Sequence, residues 1–420
     1  MAIPIQSRTS ETFQALFYQV LGLPFDNSTK KNCDRDAMKI VIVHHFYKNG
    51  AASGENTVVE AHVRALRKHG HTVTLIGRYS NQTLNSRLEK LKVGFTWAFN
   101  MGQSPWRQIK EFEPDIILIH NLYPGFSSRW IRKKEIPRIY WLHNYRFFCL
   151  ASTFIFQNQE CLICAQSVSY KSLIRKCADG SILKTVSTYL RLKMNRDLPE
   201  RSELDHWVAL SPKARNLFLQ TSLKSKSMSI IPNFVDSNDV MPTFLSDKWV
   251  FVGRLTAEKG ILALAKNVPD SIQLDIYGDG PARAQLEVIC ANKTNLNLKG
   301  DLDRETLLDL LPNYTGGFVP SFGVEGIPTT FLEYSAAGLP IIGWEVNSTS
   351  DFIDEYECGI TLKNFRMEAI ADAVSMIARN RAQFSKNSIS MWKSEFSESK
   401  WIQQVNDLFD SVINNRNLEH

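Results

Sequence analysis

Two carboxylates bracket seven residues in the run Glu325-Gly326-Ile327-Pro328-Thr329-Thr330-Phe331-Leu332-Glu333, which continues as Tyr334-Ser335-Ala336-Ala337-Gly338-Leu339-Pro340. Pro328 biases Ile327 away from helix, so the segment from Glu325 to Pro328 reads as a loop. A short helix is predicted from near Thr330, ending before Gly338 and Pro340. Free amides at that helix start, with the helix dipole behind them, suit a diphosphate. The carboxylates suit sugar hydroxyls, and a sugar nucleotide needs both kinds of partner. The competing reading is structural: Thr330 and Glu333 have the spacing of a capping box, which would make Glu333 a helix cap and nothing more.

The elements that must position this run form two α/β halves. The run Lys39 to His44 reads as a buried parallel strand, followed by a loop with Gly50, Ser53-Gly54 and Glu55-Asn56. A helix from Thr57 to His69 and a strand from Thr72 to Ile76 complete a βαβ opening. Its glycine loop lies at a strand's C-terminal end, where open α/β sheets bind ligands. It is not a Gly-x-Gly-x-x-Gly fingerprint, which disfavours NAD. Strands at Ile116–His120 and Arg138–His143 follow, the second aiming His143 at an inter-domain cleft. A satisfied core histidine is the other reading of His143. Residues 237–247, with Pro242, read as a linker. The alternation then restarts with a strand at Lys248–Gly253 and the loop Arg254-Leu255-Thr256-Ala257-Glu258-Lys259-Gly260. A strand ending in Tyr277-Gly278-Asp279-Gly280-Pro281 comes next, and then Leu296–Gly300. Asp301 and Asp303 precede a helix, so capping explains them better than metal binding. The expected organisation is an extension over 1–37 with a short amphipathic helix (Phe13, Leu16, Phe17, Val20, Leu21) and a first Rossmann-like domain over 38–236. The second spans 248–390, and C-terminal helices over 391–420 return toward the first.

Residues 1–250 carry 34 Lys and Arg against 20 Asp and Glu, a net +14, whereas residues 251–420 carry 15 against 23, a net −8. The basic half suits an anionic lipid surface, an acidic glycan or nucleic acid. No apolar run approaches the length of a membrane helix, and Gln14 and Gln19 interrupt the N-terminal apolar stretch that a signal peptide would need. The expectation is a cytoplasmic chain that can meet the inner face of a membrane. Seven cysteines without a secretory signal argue against a disulfide framework. Four of them, Cys149, Cys161, Cys164 and Cys177, form an insertion of pattern C-x11-C-x2-C-x12-C, which suggests a structural zinc site, although neither outer cysteine belongs to a second C-x2-C pair. Residues 181–197 then form a helix with an apolar stripe set against the basic residues Lys184, Arg191, Lys193 and Arg196, suited either to a membrane surface or to packing on the first domain.

Gly253-Arg254-Leu255…Glu258-Lys259-Gly260, Tyr277-Gly278-Asp279-Gly280-Pro281, Glu325-x7-Glu333 and Glu333-x-x-Ala336-x-Gly338-x-Pro340 occur in this order. Together they resemble family four of the retaining glycosyltransferases, over Met38 to about Leu362. The segments His143-Asn144-Tyr145-Arg146, Ala209-Leu210-Ser211 and Ile231–Asp236 match as well. The four-cysteine insertion resembles a branch active in surface-polysaccharide assembly. The resemblance implies an α/β chain of two Rossmann-like domains facing across a cleft, the GT-B fold. It implies a nucleotide-sugar donor, a glycan or lipid-linked acceptor, retention of anomeric configuration and no metal for catalysis. Arg254 and Lys259 would hold the diphosphate, Glu325 the donor sugar hydroxyls and Glu333 the ribose. Gly326, Ile327, Pro328 and Thr329 would touch sugar and phosphate. His143 would sit beside the sugar, and Gly54 would let the first-domain loop approach the phosphates. Gly278, Lys299, Gly300 and Asp301 would line the base pocket. This chain departs from the pattern at Ser53-Gly54, at Asn347–Ser350 and at Leu150-Ala151. Other readings are an epimerase on the same fold, a zinc-containing nucleic-acid binder, for which the motifs give little support, and a scaffold that binds nucleotide without turnover.

Overall fold

The computed structural model describes residues 37–46, 54–79, 87–157, 159–194, 204–223, 227–236, 242–243, 246–324, 326–364 and 366–419. The expected N-terminal extension, most of the linker and Glu325 lie outside the described residues.

Six strands build the first sheet: β1 (Lys39–Phe46), β2 (Thr72–Tyr79), β3 (Ile116–Asn121), β4 (Arg138–Trp141), β7 (His206–Ala209) and β8 (Met228–Ile230). A two-stranded antiparallel hairpin, β5 (Ile155–Phe156) with β6 (Gln159–Glu160), lies in the cysteine insertion. The main sheet is parallel throughout, in the order β2-β1-β3-β4-β7-β8. Parallel strands are covered on both faces, so they read as continuous apolar runs, and Ile40 to Val43 are 0% exposed. The strand order reverses between β1 and β3, the place where such sheets open a crevice at their carboxyl ends. The register between β1 and β3 slips at Val43/His44, which sets His44 opposite Asn121.

The second sheet contains β9 (Trp249–Val252), β10 (Leu274–Tyr277), β11 (Leu296–Gly300), β12 (Gly316–Val319), β13 (Ile341–Trp344) and β14 (Gly359–Leu362). Its order is β11-β10-β9-β12-β13-β14, again all parallel, and it reverses between β9 and β12. The Arg254 loop follows β9 and the Glu325 loop follows β12, so both leave the sheet at its switch point.

Six helices matter for the site: α1 (Gly54–Lys68), α2 (Arg87–Ala98), α3 (Ile182–Met194), α4 (Arg304–Leu310), α5 (Thr329–Ala336) and α6 (Glu398–Glu419). Helix α1 begins three residues before the expected start, which puts Gly54 in its first turn. The C-terminal helical stretch breaks at Ser397, after a π-helical turn at Trp392–Phe396. Helix α6 then packs on the first domain. Trp401 stacks on His62 at 4.2 Å and lies 5.0 Å from Phe234. Lys68 pairs with Glu398 at 2.8 Å, and His71 bonds Asn406 at 3.1 Å.

Helix α3 packs against α2, where a Cβ on Gly94 would lie 3.5 Å from Ser187. This corrects one detail of the sequence reading. Arg191 is not part of a basic surface stripe: it is 1% exposed, with its guanidinium 4.4 Å over the Trp97 ring and bonded to Ser128 Oγ at 3.1 Å.

Candidate active site

In the second domain, the loops after β9 and β10 approach so closely that only glycine fits at position 278. Gly278 has φ +131°, and a Cβ there would lie 2.0 Å from the Gly253 carbonyl oxygen. The loops are tied by backbone bonds: Gly253 N–H to the Tyr277 carbonyl (3.1 Å), Leu255 N–H to Asp279 (2.9 Å) and Gly278 N–H to Gly300 (2.7 Å). The result is a floor of main chain, with Gly300 opening onto free space. Lys299 and Asp301 stand exposed beside it. Asp303 is the N-cap of α4, accepting from Thr306 N–H at 2.9 Å. Arg254 is 65% exposed and only 3.9 Å from Glu258, a contact too loose and wet to commit its charge. Lys259 is half-buried in the same loop.

The loop after β12 packs on this one. Phe322 N–H donates to the Glu258 carbonyl at 2.9 Å, and a Cβ on Gly260 would strike the Pro320 carbonyl oxygen. It then crosses to the first domain. A Cβ on Gly323 would lie 2.3 Å from Ile155 Cδ1 of the insertion hairpin. Val324 packs against the first domain's core. A Cβ on Gly326 would meet Leu210 at 2.7 Å and the His143 carbonyl oxygen at 3.5 Å. Ile327 and Pro328 are buried, and Thr329 opens α5. Opposite Thr329 stands Gly54, whose Cβ would lie 3.1 Å from Thr329 Cγ2. The starts of α1 and α5, one from each domain, therefore face each other.

The capping-box reading of Glu333 fails. The N-cap of α5 is Pro328, with no side-chain cap bond, and Glu333 lies in the helix's second turn. Glu333 is 5% exposed and accepts from Arg304 Nε at 3.2 Å. Burial pushes its carboxyl above the usual range, and Arg304 pulls it part of the way back. Tyr334 anchors α5 to the sheet: its hydroxyl accepts from Val252 N–H at 2.9 Å.

At the first domain's switch point, His44, His120 and His143 gather from the ends of β1, β3 and β4. His143 lines a small pocket together with His120, Asn121, Tyr123, Asn144 and Arg146. The Arg146 guanidinium lies 4.2 Å over the Tyr123 ring. His44 Nε2 bonds Asn56 Oδ1 at 3.2 Å, and Asn144 Nδ2 donates to Glu55 Oε2 at 3.4 Å. Burial lowers His44 to about 4 and His143 to about 3, so both are neutral at physiological pH. Sequence reasoning singled out His143 but missed His44, His120 and Arg304. The signal was the strand-end position of each histidine beside a topological switch point.

The insertion thiols are near enough to raise one another's ionisation cost: Cys164 acts on Cys149, Cys161 on Cys164, and all three on Cys177. Burial is the first cause, and Cys177 is pushed up to about 11. Ser169 N–H points at Cys164 Sγ (3.5 Å) and Arg175 Nη1 at Cys161 Sγ (3.4 Å). Among the described residues, no group of three or more His, Cys, Asp or Glu is arranged to hold a metal ion. The donor set suits zinc in type and number, but the thiols would have to draw together to ligate it. Cys358 is core, at 0% exposure.

The two halves of the chain each match a known family. Residues 52–239 match the family model described as Glycosyltransferase Family 4, and residues 246–380 the one described as Glycosyl transferases group 1. TuaC of Bacillus subtilis (strain 168), named for teichuronic acid biosynthesis as a glycosyltransferase, is 27% identical over 174 residues, 41% of this chain and 40% of that protein. The alpha-D-kanosaminyltransferase of Streptomyces kanamyceticus is 24% identical over 183 residues, 39% of this chain and 45% of that one. The chain thus spans less than half the length of these curated relatives. Sucrose-phosphate synthase from Thermosynechococcus elongatus superposes with a TM-score of 0.65 at 15% identity, over 90% of this chain and 100% of that one. Anabaena HepE in complex with UDP-glucose gives a TM-score of 0.56 at 15% identity, over 89% of this chain and 100% of that one. The likeness establishes the fold as the two-domain architecture of these enzymes.

Proposed function

We propose that this chain, whose two halves carry glycosyltransferase family signatures on a GT-B fold, transfers a sugar from a nucleotide donor to a glycan or lipid-linked acceptor with retention of anomeric configuration. The observation that carries the reading is the meeting of the α1 and α5 helix starts, Gly54 against Thr329, beside the Arg254–Gly260 loop. Two helix N-termini meet at one seam, with Arg254 and Lys259 on the loop packed against the segment that leads to α5, and that combination suits a diphosphate. Arg254 and Lys259 neutralise charge on the departing nucleoside diphosphate, and preorganised cations act most where charge develops. Glu333 accepts from the ribose hydroxyls, with Arg304 holding its carboxylate in place. The main-chain floor at Gly278 and Gly300 receives the base. His143 and Glu325 attend the donor sugar, and the chemistry itself needs no metal. Retention and the roles of these residues rest on the motif resemblance together with this geometry.

The acceptor belongs to surface-polysaccharide assembly, a reading supported by the four-cysteine insertion and by the relative named for teichuronic acid. No described helix is long and apolar enough to cross a membrane. Leu88, Leu91 and Phe95 on α2 and Ile182, Val186 and Met194 on α3 are exposed, with Lys90, Lys92, Lys184 and Lys193 exposed on the same two helices. That combination suits peripheral contact with an anionic bilayer at the cytoplasmic face. In the insertion, Cys149, Cys161, Cys164 and Cys177 would hold a structural zinc that ties it to the first domain.

A thermal-shift panel of nucleotide sugars identifies the donor, because a ligand that binds the native state raises Tm. The expected result is one preferred donor and acceptor-dependent release of nucleoside diphosphate. Epimerised donor formed without acceptor, or no nucleotide-sugar binding at all, would contradict the proposal.

A further inference from the structure

His120 is 2% exposed, and its Nδ1 lies 2.8 Å from His143 Nε2. The two rings are within 22° of parallel, with centroids 5.1 Å apart. His120 also stacks on Trp141, at 5.5 Å and 24°, so packing fixes the plane of its ring. One proton occupies the hydrogen bond between the imidazoles, and its owner determines both tautomers.

Two arrangements satisfy the 2.8 Å contact. If His143 donates from Nε2, His120 must carry its own proton on Nε2. That atom is buried and has no partner among the described residues. If His120 donates from Nδ1, its Nε2 is a bare lone pair in the same apolar place. A buried, orphaned N–H is rarer than an under-used acceptor, and an unmet donor forfeits its whole hydration. His62, 5.2 Å away by ring centroids, offers no hydrogen bond, since both its nitrogens are buried and unpartnered.

We propose that His120 is a positioning residue: by donating Nδ1–H to His143 Nε2, it holds His143 as the Nδ1–H tautomer. His143 then presents a hydrogen-bond donor, not a base, to the oxygen atoms of the donor sugar. Burial keeps both imidazoles neutral, so the arrangement persists across physiological pH. The His143 carbonyl lies beside Gly326, so the same residue also meets the donor loop through its main chain. This inference rests on the proposed role of His143 at the sugar, but its first readout needs no turnover.

The test uses the full chain labelled with ¹⁵N-histidine, with two-bond proton–nitrogen spectra at neutral pH assigned through His143→Gln. The wild type should show His143 protonated on Nδ1. His120→Phe keeps the ring volume, removes the bond and should shift His143 toward the Nε2–H form. His120→Asn places an amide near Nδ1 and should restore the Nδ1–H form. In turnover, His120→Phe should lower kcat roughly tenfold with donor KM within about twofold, the effect of one misaligned hydrogen bond, and His120→Asn should recover part of it. A wild-type His143 protonated on Nε2, or a tautomer unmoved by His120→Phe, would overturn the proposal even if sugar transfer stands. Should His120→Phe fail to fold, the wild-type and His120→Asn spectra still decide. A chain with the expected tautomer but no transfer activity would sink the proposed function instead.

Discussion

Glu333→Gln separates a ribose-binding carboxylate from a merely structural one. Glu333 is 5% exposed, and burial raises its pKa, so its ionised form is disfavoured by the fold at neutral pH. Glutamine keeps the shape and removes that cost. Against this stands the lost charge on the 3.2 Å bond from Arg304. Arg304 is 37% exposed, so water can replace much of what is lost, and the net change should fall within about 1 kcal/mol of zero. The pH dependence has a definite sign. A carboxyl with a raised folded pKa binds more protons in the native state, so its stability contribution falls as pH rises above the unfolded value near 4.5. The variant should therefore match or exceed wild-type Tm at pH 7 and lose that advantage toward pH 4.5. Donor affinity should move the other way. Hydrogen bonds from ribose hydroxyls to a charged acceptor contribute roughly 1.5–3 kcal/mol, so nucleotide Kd should rise by about ten- to a hundredfold. Calorimetric titration with the preferred nucleotide, beside a pH series of thermal melts, measures both. A variant that is clearly less stable yet binds nucleotide normally would refute the ribose role and return Glu333 to a structural one.

Gly323→Ala must displace Ile155, because its Cβ would lie 2.3 Å from Ile155 Cδ1. Donor KM should rise several-fold, and adding Ile155→Ala should restore it, a coupling that a double-mutant cycle reads directly. Acid should destabilise the chain through its buried histidines. With pKa lowered to about 4 for His44 and about 3 for His143, each loses about 1.4 kcal/mol per pH unit as pH falls below 6.5, so chemical denaturation at pH 7 and pH 5.5 should show the loss. Purified chain should contain about one zinc per molecule, and chelation should expose four titratable thiols in the insertion; metal-free, stable protein would remove the zinc proposal. Liposome binding should require anionic lipid, fall with salt and weaken on charge reversal at Lys184 and Lys193, and salt-independent binding would count against it.

The two sheets were legible because buried parallel strands read as unbroken apolar runs, as in Lys39–Phe46 and Trp249–Val252. The glycine loops were legible because Gly278 sits where any Cβ would strike the Gly253 backbone. Other features depend on long-range pairing that no local pattern reports. His44 and His120 each look like a core histidine until the sheet order brings them beside His143. Arg304 meets Glu333 across 29 residues. The capping-box spacing misled because helix α5 starts at Thr329, with Pro328 (ψ 130°) holding the N-cap position. Arg191 looked like a surface cation on periodicity, but α3 turns it onto Trp97.

The central claim is that Arg254 and Lys259 stabilise a departing nucleoside diphosphate at the seam between the domains. Its most direct test is nucleoside-diphosphate release from the preferred donor, in the presence of acceptor, by wild type, Arg254→Ala and Lys259→Ala. Each variant should keep its melting temperature and bind donor within a few-fold, while kcat falls roughly a hundredfold, the usual loss for one transition-state contact of about 3 kcal/mol. Wild-type turnover in both variants would contradict the account.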